Sequence, residues 1–317
     1  MHPVQSVLLV LGAMSAGLVF GRLLHHATIV VHFVRHSTRI AVFCLLFLLG
    51  ASLGGNAELL ALLPVLGWHA TLLGLSCTLG SVFATCLLPF FSIRPLGVYK
   101  SPESEKFADH RRNQRKTVLA SLWILIFFAL GVYVAYLDVL PAAFLDARLT
   151  DHAIVALMLL VGMTLGFDLR AFSIVRKLRW HVLLVPFVAV IGTALGACLA
   201  WFFLPELSLR ECQAVGAGYG YYSLSSILLS NISSASLGST ALLANIFREL
   251  FTLAAGPLIA RYISPFAPIA AGGATSMDTC LPMIVASSGE RYGIVAVFSG
   301  IVLTVLVPLL VPLFLLA

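Results

Sequence analysis

Five ionisable side chains stand in apolar surroundings: Glu58, Asp168, Arg248, Glu249 and Asp278. The other acids and bases fall mostly in polar stretches. A charge at a bilayer centre costs at least about 2.5 kcal/mol on insertion scales, so such groups face a cavity, a substrate or each other. Glu58 is the only Asp, Glu, Lys or Arg between Arg39 and Arg94, and it follows Gly54-Gly55-Asn56. A Gly-Gly-Asn break exposes backbone carbonyls. With the Asn56 amide and the Glu58 carboxylate they suit a cation or an ammonium group. A carboxyl in a dry site binds its proton more tightly, and a nearby cation displaces it, so a proton and a cationic substrate can compete for one place. The plainer alternative puts Glu58 at the membrane surface just past a helix end.

Glu249 directly follows Arg248. On a helix the two point about 100° apart, so each meets its own neighbours. Arg248 either anchors the fold or holds a carboxylate, as a charge partner. Glu249 is a candidate for binding substrate or proton. Asp278 closes the run Gly272-Gly273-Ala274-Thr275-Ser276-Met277-Asp278. Two glycines followed by Thr275 and Ser276 suit a loop that opens a half-helix, whose amides favour an anion such as an amino-acid carboxylate. Asp278 then serves as cation ligand or as the cap of that half-helix. In Tyr219–Ser226 the rings and hydroxyls, Tyr222 and Ser223 among them, suit a substrate path or a tight helix interface built from small residues.

These groups need elements to position them, and the chain supplies a repeat. GASLGGNAELLALLPVLGWH, residues 50–69, recurs 112 positions later as GMTLGFDLRAFSIVRKLRWH, residues 162–181. Gly54 aligns with Gly166 and Asn56 with Asp168. A paired, glycine-interrupted hydrophobic segment in two halves of a membrane protein points to a transporter binding site. Two glycine-capped helix ends are the plainer reading.

At 60% hydrophobic and 10% charged residues, the chain does not resemble a soluble domain. Uncharged runs long enough to cross a bilayer recur, and barrel-type alternation is absent. An all-α polytopic membrane protein with eight to ten membrane segments follows, as a single transmembrane domain over residues 1–317. The first span, Val4–Phe20, lacks the basic start and small-residue site of a cleaved leader. Arg22–Arg39, rich in Arg and His, reads as an interfacial loop. Ile40–Gly54 reads as a helix, Leu59–Gly67 as a half-helix and Trp68–Phe91 as a return span. Arg94–Lys116 carries seven basic and three acidic residues and reads as a cytoplasmic linker. A second unit spans 117–204, with an acidic loop at Asp138–Asp151 and a basic segment at Asp168–Arg179.

Equivalent loops therefore carry opposite charge. The positive-inside rule puts them on opposite sides, making residues 4–91 and 117–204 an inverted-topology repeat with broken transmembrane helices. It also puts the amino terminus outside the cytoplasm. Residues 213–317 do not copy the repeat; they hold two Gly-rich segments, Gln213–Ser230 and Pro265–Val285, that either span or re-enter. The net charge of +6 reports topology and not nucleic-acid binding. The six cysteines lack C-x-x-C spacing and read as packing, so neither a metal nor a cofactor is expected.

GYGYYSLSSILL, FREL and GATSMDTCLP over residues 216–282, with G-x-S-L-G-x-N-x-E at Gly50–Glu58, resemble the bacterial lysine exporter family of the LysO type. The resemblance implies a multi-pass inner-membrane exporter of L-lysine and its analogue thialysine, exchanging substrate for protons. It also implies important membrane-embedded acids, matched here to Glu249 and to Glu58. No nucleotide-binding P-loop is present, so direct ATP use is not expected. The alternatives are an intramembrane aspartyl protease using Asp168 and Asp278, or a sodium-coupled transporter. A homodimer is left open.

Overall fold

The computed structural model describes residues 3–55, 61, 63–91, 126–137, 147–167 and 184–316. Regular structure among them is entirely helical. Five of the described helices are long and apolar enough to cross a membrane: Thr28–Ala51, Pro64–Leu88, Leu184–Trp201, Ala235–Tyr262 and Tyr292–Leu316. The expectation of an all-α multi-pass membrane protein is met at that level. Asn56, Glu58, the linker 94–116, Asp168 and the basic segment that follows it lie outside the described residues.

Helix α1 is Pro3–Leu24 and α2 is Thr28–Gly54. The stretch Arg22–Arg39, expected as a loop, is mostly helix. Only three residues part α1 from α2, and α2 begins a dozen residues before Ile40. No proline interrupts Thr28–Gly54, and its first glycine is Gly50. Positions 32, 35, 36 and 39 recur three and four apart, the spacing of a helix and not of a loop. Helix α3 is Leu63–Ala84, continued by a 3-10 segment at Thr85–Phe91. The expected division between Gly67 and Trp68 is absent: α3 runs through both, and Thr71 Oγ1 donates to the Gly67 carbonyl at 2.7 Å. Helix α4 is Ile126–Tyr136 and α5 is Ala147–Phe167, so Arg148 and Asp151 stand on a helix, not in a loop. Helix α6 is Leu184–Trp201.

The remaining helices include short ones. They are α7 Leu209–Gly216, α8 Tyr222–Ile232, α9 Ala235–Tyr262, α10 Ala267–Gly272, α11 Leu281–Ser288 and α12 Glu290–Leu316. Ser208 opens α7 with a capping box: its Oγ accepts from the Glu211 N–H at 3.3 Å and the Glu211 carboxylate accepts from the Ser208 N–H at 2.8 Å.

The chain divides into two compact units. The first comprises Met1–Leu66, Leu122–Arg170 and Ser226–Ser239; the second comprises Gly67–Ser121, Ala171–Ser225 and Thr240–Ala317. In the first, helices touch through glycine. A side chain on Gly17 or Gly21 of α1 would strike the backbone of α5 at Leu159 or Met163, and one on Gly162 would strike Met14. Likewise Gly50 and Gly54 of α2 lie against Phe128 and Val132 of α4. Without Cβ atoms the backbones approach closely, which is how helices gain van der Waals contact in an apolar medium.

In the second unit, Gly80 of α3 and Gly192 of α6 stand 112 positions apart and meet each other. A Cβ on Gly80 would reach Gly192 and Gly196, and one on Gly192 would reach Gly80 and Ala84. Around this contact a core gathers Leu88, Val185, Leu253, Ile284 and Val295, with Phe266 edge-on to Tyr292 at 5.0 Å.

Candidate functional site

Helix α9 carries a polar row in its middle: Asn245, Arg248, Glu249 and Thr252, spaced three and four apart. All four are buried in the second unit. Such a row cannot face lipid, so its purpose lies in what it touches.

It touches two interrupted segments. The first is the irregular stretch between α7 and α8. Tyr219 there has φ +45°, a left-handed conformation unusual for a bulky residue, and Gly220 has φ +88°. The second lies between α10 and α11, where Gly273 has φ +61° and a 3-10 turn follows through Met277. The two interruptions cross. The Ala274 N–H donates to the Tyr219 carbonyl at 2.8 Å, and a Cβ on Gly273 would collide with that carbonyl. Backbone strain of this kind persists only where the surroundings over-determine it.

Asn245 and Arg248 supply that over-determination. Asn245 Oδ1 accepts from the Gly220 N–H at 2.7 Å, and its Nδ2 donates to the Ala241 carbonyl at 2.9 Å and to Ser225 Oγ at 3.3 Å. Arg248 serves the second interruption. Its Nε donates to the Ala271 carbonyl and its Nη2 to the Ala270 carbonyl, each at 2.8 Å. These carbonyls belong to the end of α10, where helical partners run out. Arg248 thus rests on backbone oxygens. Thr275 Oγ1 donates to the Gly272 carbonyl at 2.9 Å, and Ser276 Oγ to those of Gly273 and Ala296 at 2.7 and 2.9 Å. Both hydroxyls therefore stabilise the interruption itself.

Glu249 and Asp278 remain as the chemical groups. Glu249 is wholly buried in mid-helix. Asp278 is accessible, its Oδ1 accepting from the Thr279 N–H at 2.6 Å. Ser223 is buried beside Tyr222 at the start of α8. Glu249, Asp278, Tyr222, Arg248, Thr275, Ser276, Gly272 and Gly273 all belong to the second unit. Gly54 ends α2, Gly55 forms the following turn, and Gly166 lies within α5 against Gly21 and Leu18, all in the first unit. Among the described residues, no group of three or more His, Cys, Asp or Glu side chains could hold a metal ion.

Sequence reasoning passed over Asn245, Ser81 and Thr193. Asn245 carried a usable signal, since Asn-x-x-Arg-Glu puts three polar groups on one helical face. Ser81 and Thr193 follow Gly80 and Gly192, and extending the 112-residue repeat would have paired them.

A multi-pass membrane protein with a buried polar row against two irregular segments is the class this fold and site define. Within it, the sequence model of the family described as Lysine exporter LysO matches residues 11–99 and 125–315, so the chain belongs to that family. The Escherichia coli (strain K12) Lysine exporter LysO is 30% identical over 168 residues, covering 52% of this chain and 54% of that protein. The match therefore spans about half the length of that relative. A Haemophilus influenzae relative, provisionally named a lysine exporter, is 32% identical over 152 residues, covering 47% of this chain and 77% of its own length. No solved structure matches the chain.

Proposed function

We propose that the protein is a secondary exporter of L-lysine, and of thialysine in the same site, that exchanges substrate for protons across the bacterial cytoplasmic membrane. The observation that carries this reading is the wholly buried Glu249 in mid-α9, next to the Arg248 that holds the second interruption, with the accessible Asp278 closing that interruption. Lysine brings two ammonium groups and one carboxylate. Two carboxylates in a partly dry site can hold an ammonium group or a proton, and competition between the two couples their movements. Relatives named for lysine export support the choice of substrate. Asn56, Glu58 and Asp168 are further candidates for the substrate path, while the protease alternative has no observation in its favour.

We infer as well that residues 4–91 and 117–204 form inverted repeats whose rocking alternates access, with the amino terminus periplasmic. The reciprocal meeting of Gly80 with Gly192 supports a twofold relation, because equivalent positions touch each other only near a twofold axis. The opposite charges of equivalent loops support inversion. The interruptions on either side of the crossing support discontinuous membrane helices.

The test is counterflow of radiolabelled lysine in proteoliposomes under an imposed pH gradient. Gradient-driven lysine movement that falls at least about a hundredfold in Glu249→Gln and in Asp278→Asn is the expected result. Unchanged movement in both correctly inserted variants would remove these residues from transport. No movement of lysine by the wild-type protein under any gradient would remove lysine as substrate.

A further inference from the structure

The guanidinium of Arg248 has a second pair of partners besides the α10 carbonyls. Its Nη1 donates to Thr193 Oγ1 at 3.2 Å and its Nη2 to Ser81 Oγ at 3.4 Å. Ser81 and Thr193 are the same position in the two repeats, 112 residues apart, each following the glycine at which α3 meets α6. Ser81 also donates to the Ala270 carbonyl at 3.1 Å. One arginine therefore joins both repeats to the end of an interrupted helix. All four acceptors are neutral oxygens: two backbone carbonyls and two hydroxyls. A cluster of neutral oxygens at the carboxyl end of a half-helix is the kind of ligand set that coordinates a coupling cation in carriers with interrupted helices. Here a side chain of the protein takes that place.

We propose that Arg248 is a built-in cation that substitutes for a coupling metal ion at the helix crossing, so that transport needs no sodium. This rests on the transport reading above and adds to it the identity of the group that fills the ion position. Arg248 is a positioning residue: its charge holds the α10 end and the two repeat hydroxyls in register, while Glu249 and Asp278 face the transported species. Its charge is the part that matters, because the two carbonyls present partial negative charge that a neutral side chain cannot offset. A cavity of about 10 Å³ lies beside Arg248, lined by Cys77, Gly216 and Asn245, and adjoins the place its side chain would vacate.

The experiment has two arms. In the first, wild-type lysine counterflow is compared in sodium and potassium media; equal rates are expected, and acceleration by sodium would overturn the proposal. In the second, Arg248→Ala is assayed with added guanidinium or with urea, which has nearly the same shape without the charge, both far below denaturing concentration. Counterflow is expected to fall at least about tenfold and to recover with guanidinium but not with urea. Arg248→Lys, which keeps the charge, is expected to retain more transport than Arg248→Ala. A wild-type rate in Arg248→Ala, equal recovery with both solutes, or recovery with neither in folded protein would overturn the proposal. Should Arg248→Ala not fold, the sodium arm and Arg248→Lys decide. The thermal midpoint of detergent-solubilised Arg248→Ala in the two solutes needs no substrate, with guanidinium expected to raise it above urea. Absence of any lysine movement by the wild-type protein would instead count against the transport reading, leaving the midpoint comparison to judge Arg248.

Discussion

Where α1 meets α5, and α2 meets α4, the first unit uses glycine to bring backbones together. Where α9 meets the interrupted segments, the second unit uses Asn245 and Arg248 to hold backbones apart from the helical path. One region gains stability by removing side chains; the other spends buried polar groups on two strained loops. In lipid, backbone contact suits elements that keep one shape or move as bodies. Irregular backbone at membrane depth is tolerated only where protein or water satisfies it. On the transport reading proposed above, the difference separates scaffold from the region that handles the transported species.

This contrast can be broken by substitution. The largest effect is expected at the repeat contact. Gly192→Leu forces a side chain into Gly80, Ser81 and Ala84 and is expected to cost at least about 3 kcal/mol, read as loss of the monodisperse peak in detergent. A folded, active Gly192→Leu would mean that the α3–α6 contact is not tight. Next comes Asn245→Ala, which leaves the Gly220 N–H without its acceptor. A loss of about 1–3 kcal/mol is expected, with transport falling further than the thermal midpoint predicts. If transport tracked stability alone, the interruption would be mere architecture. Similar in stability but smaller in its effect on transport is Gly162→Ala in the first unit, expected to lower stability by about 1–3 kcal/mol while the pH dependence of counterflow stays unchanged. A shifted pH profile there would erase the division between scaffold and site. The smallest is Glu206→Gln. It removes the 3.1 Å pair with His69, whose Glu206 side chain is 65% exposed, and is expected to change stability by less than about 1 kcal/mol.

Much of this was legible in the sequence, unevenly. The run of apolar segments and the polar Arg248–Glu249 pair in mid-helix could be read directly, because charge in an apolar run is conspicuous. The interruption at Gly272–Gly273 was readable because glycine pairs and a nearby proline leave few alternatives. The start of α2 was not, since four His and Arg residues look like a loop until their helical spacing is weighed. Nor was the continuity of α3 through Gly67 and Trp68: a lone glycine in a helix costs only about 1 kcal/mol, which packing readily offsets. Asn245 was hidden for another reason. The Asn-x-x-Arg-Glu pattern marks its helical face, but its partner Gly220 lies 25 residues earlier, and no local pattern names a partner at that range. Candidates Asn56, Glu58 and Asp168 rest on the sequence argument, lying outside the described residues.

The crossing also sets an order of events during biosynthesis. The Tyr219 carbonyl is made 55 residues before the Ala274 amide that binds it, and the Gly220 amide 25 residues before Asn245. At about 5–20 residues per second, the Tyr219 carbonyl waits roughly 3–11 s for its partner. During that interval the α7–α8 hairpin holds unmatched backbone groups beside the membrane. A chain released early, between Asn245 and Ala274, would have its first interruption clamped and its second missing. Such a product is a natural target for quality-control proteases.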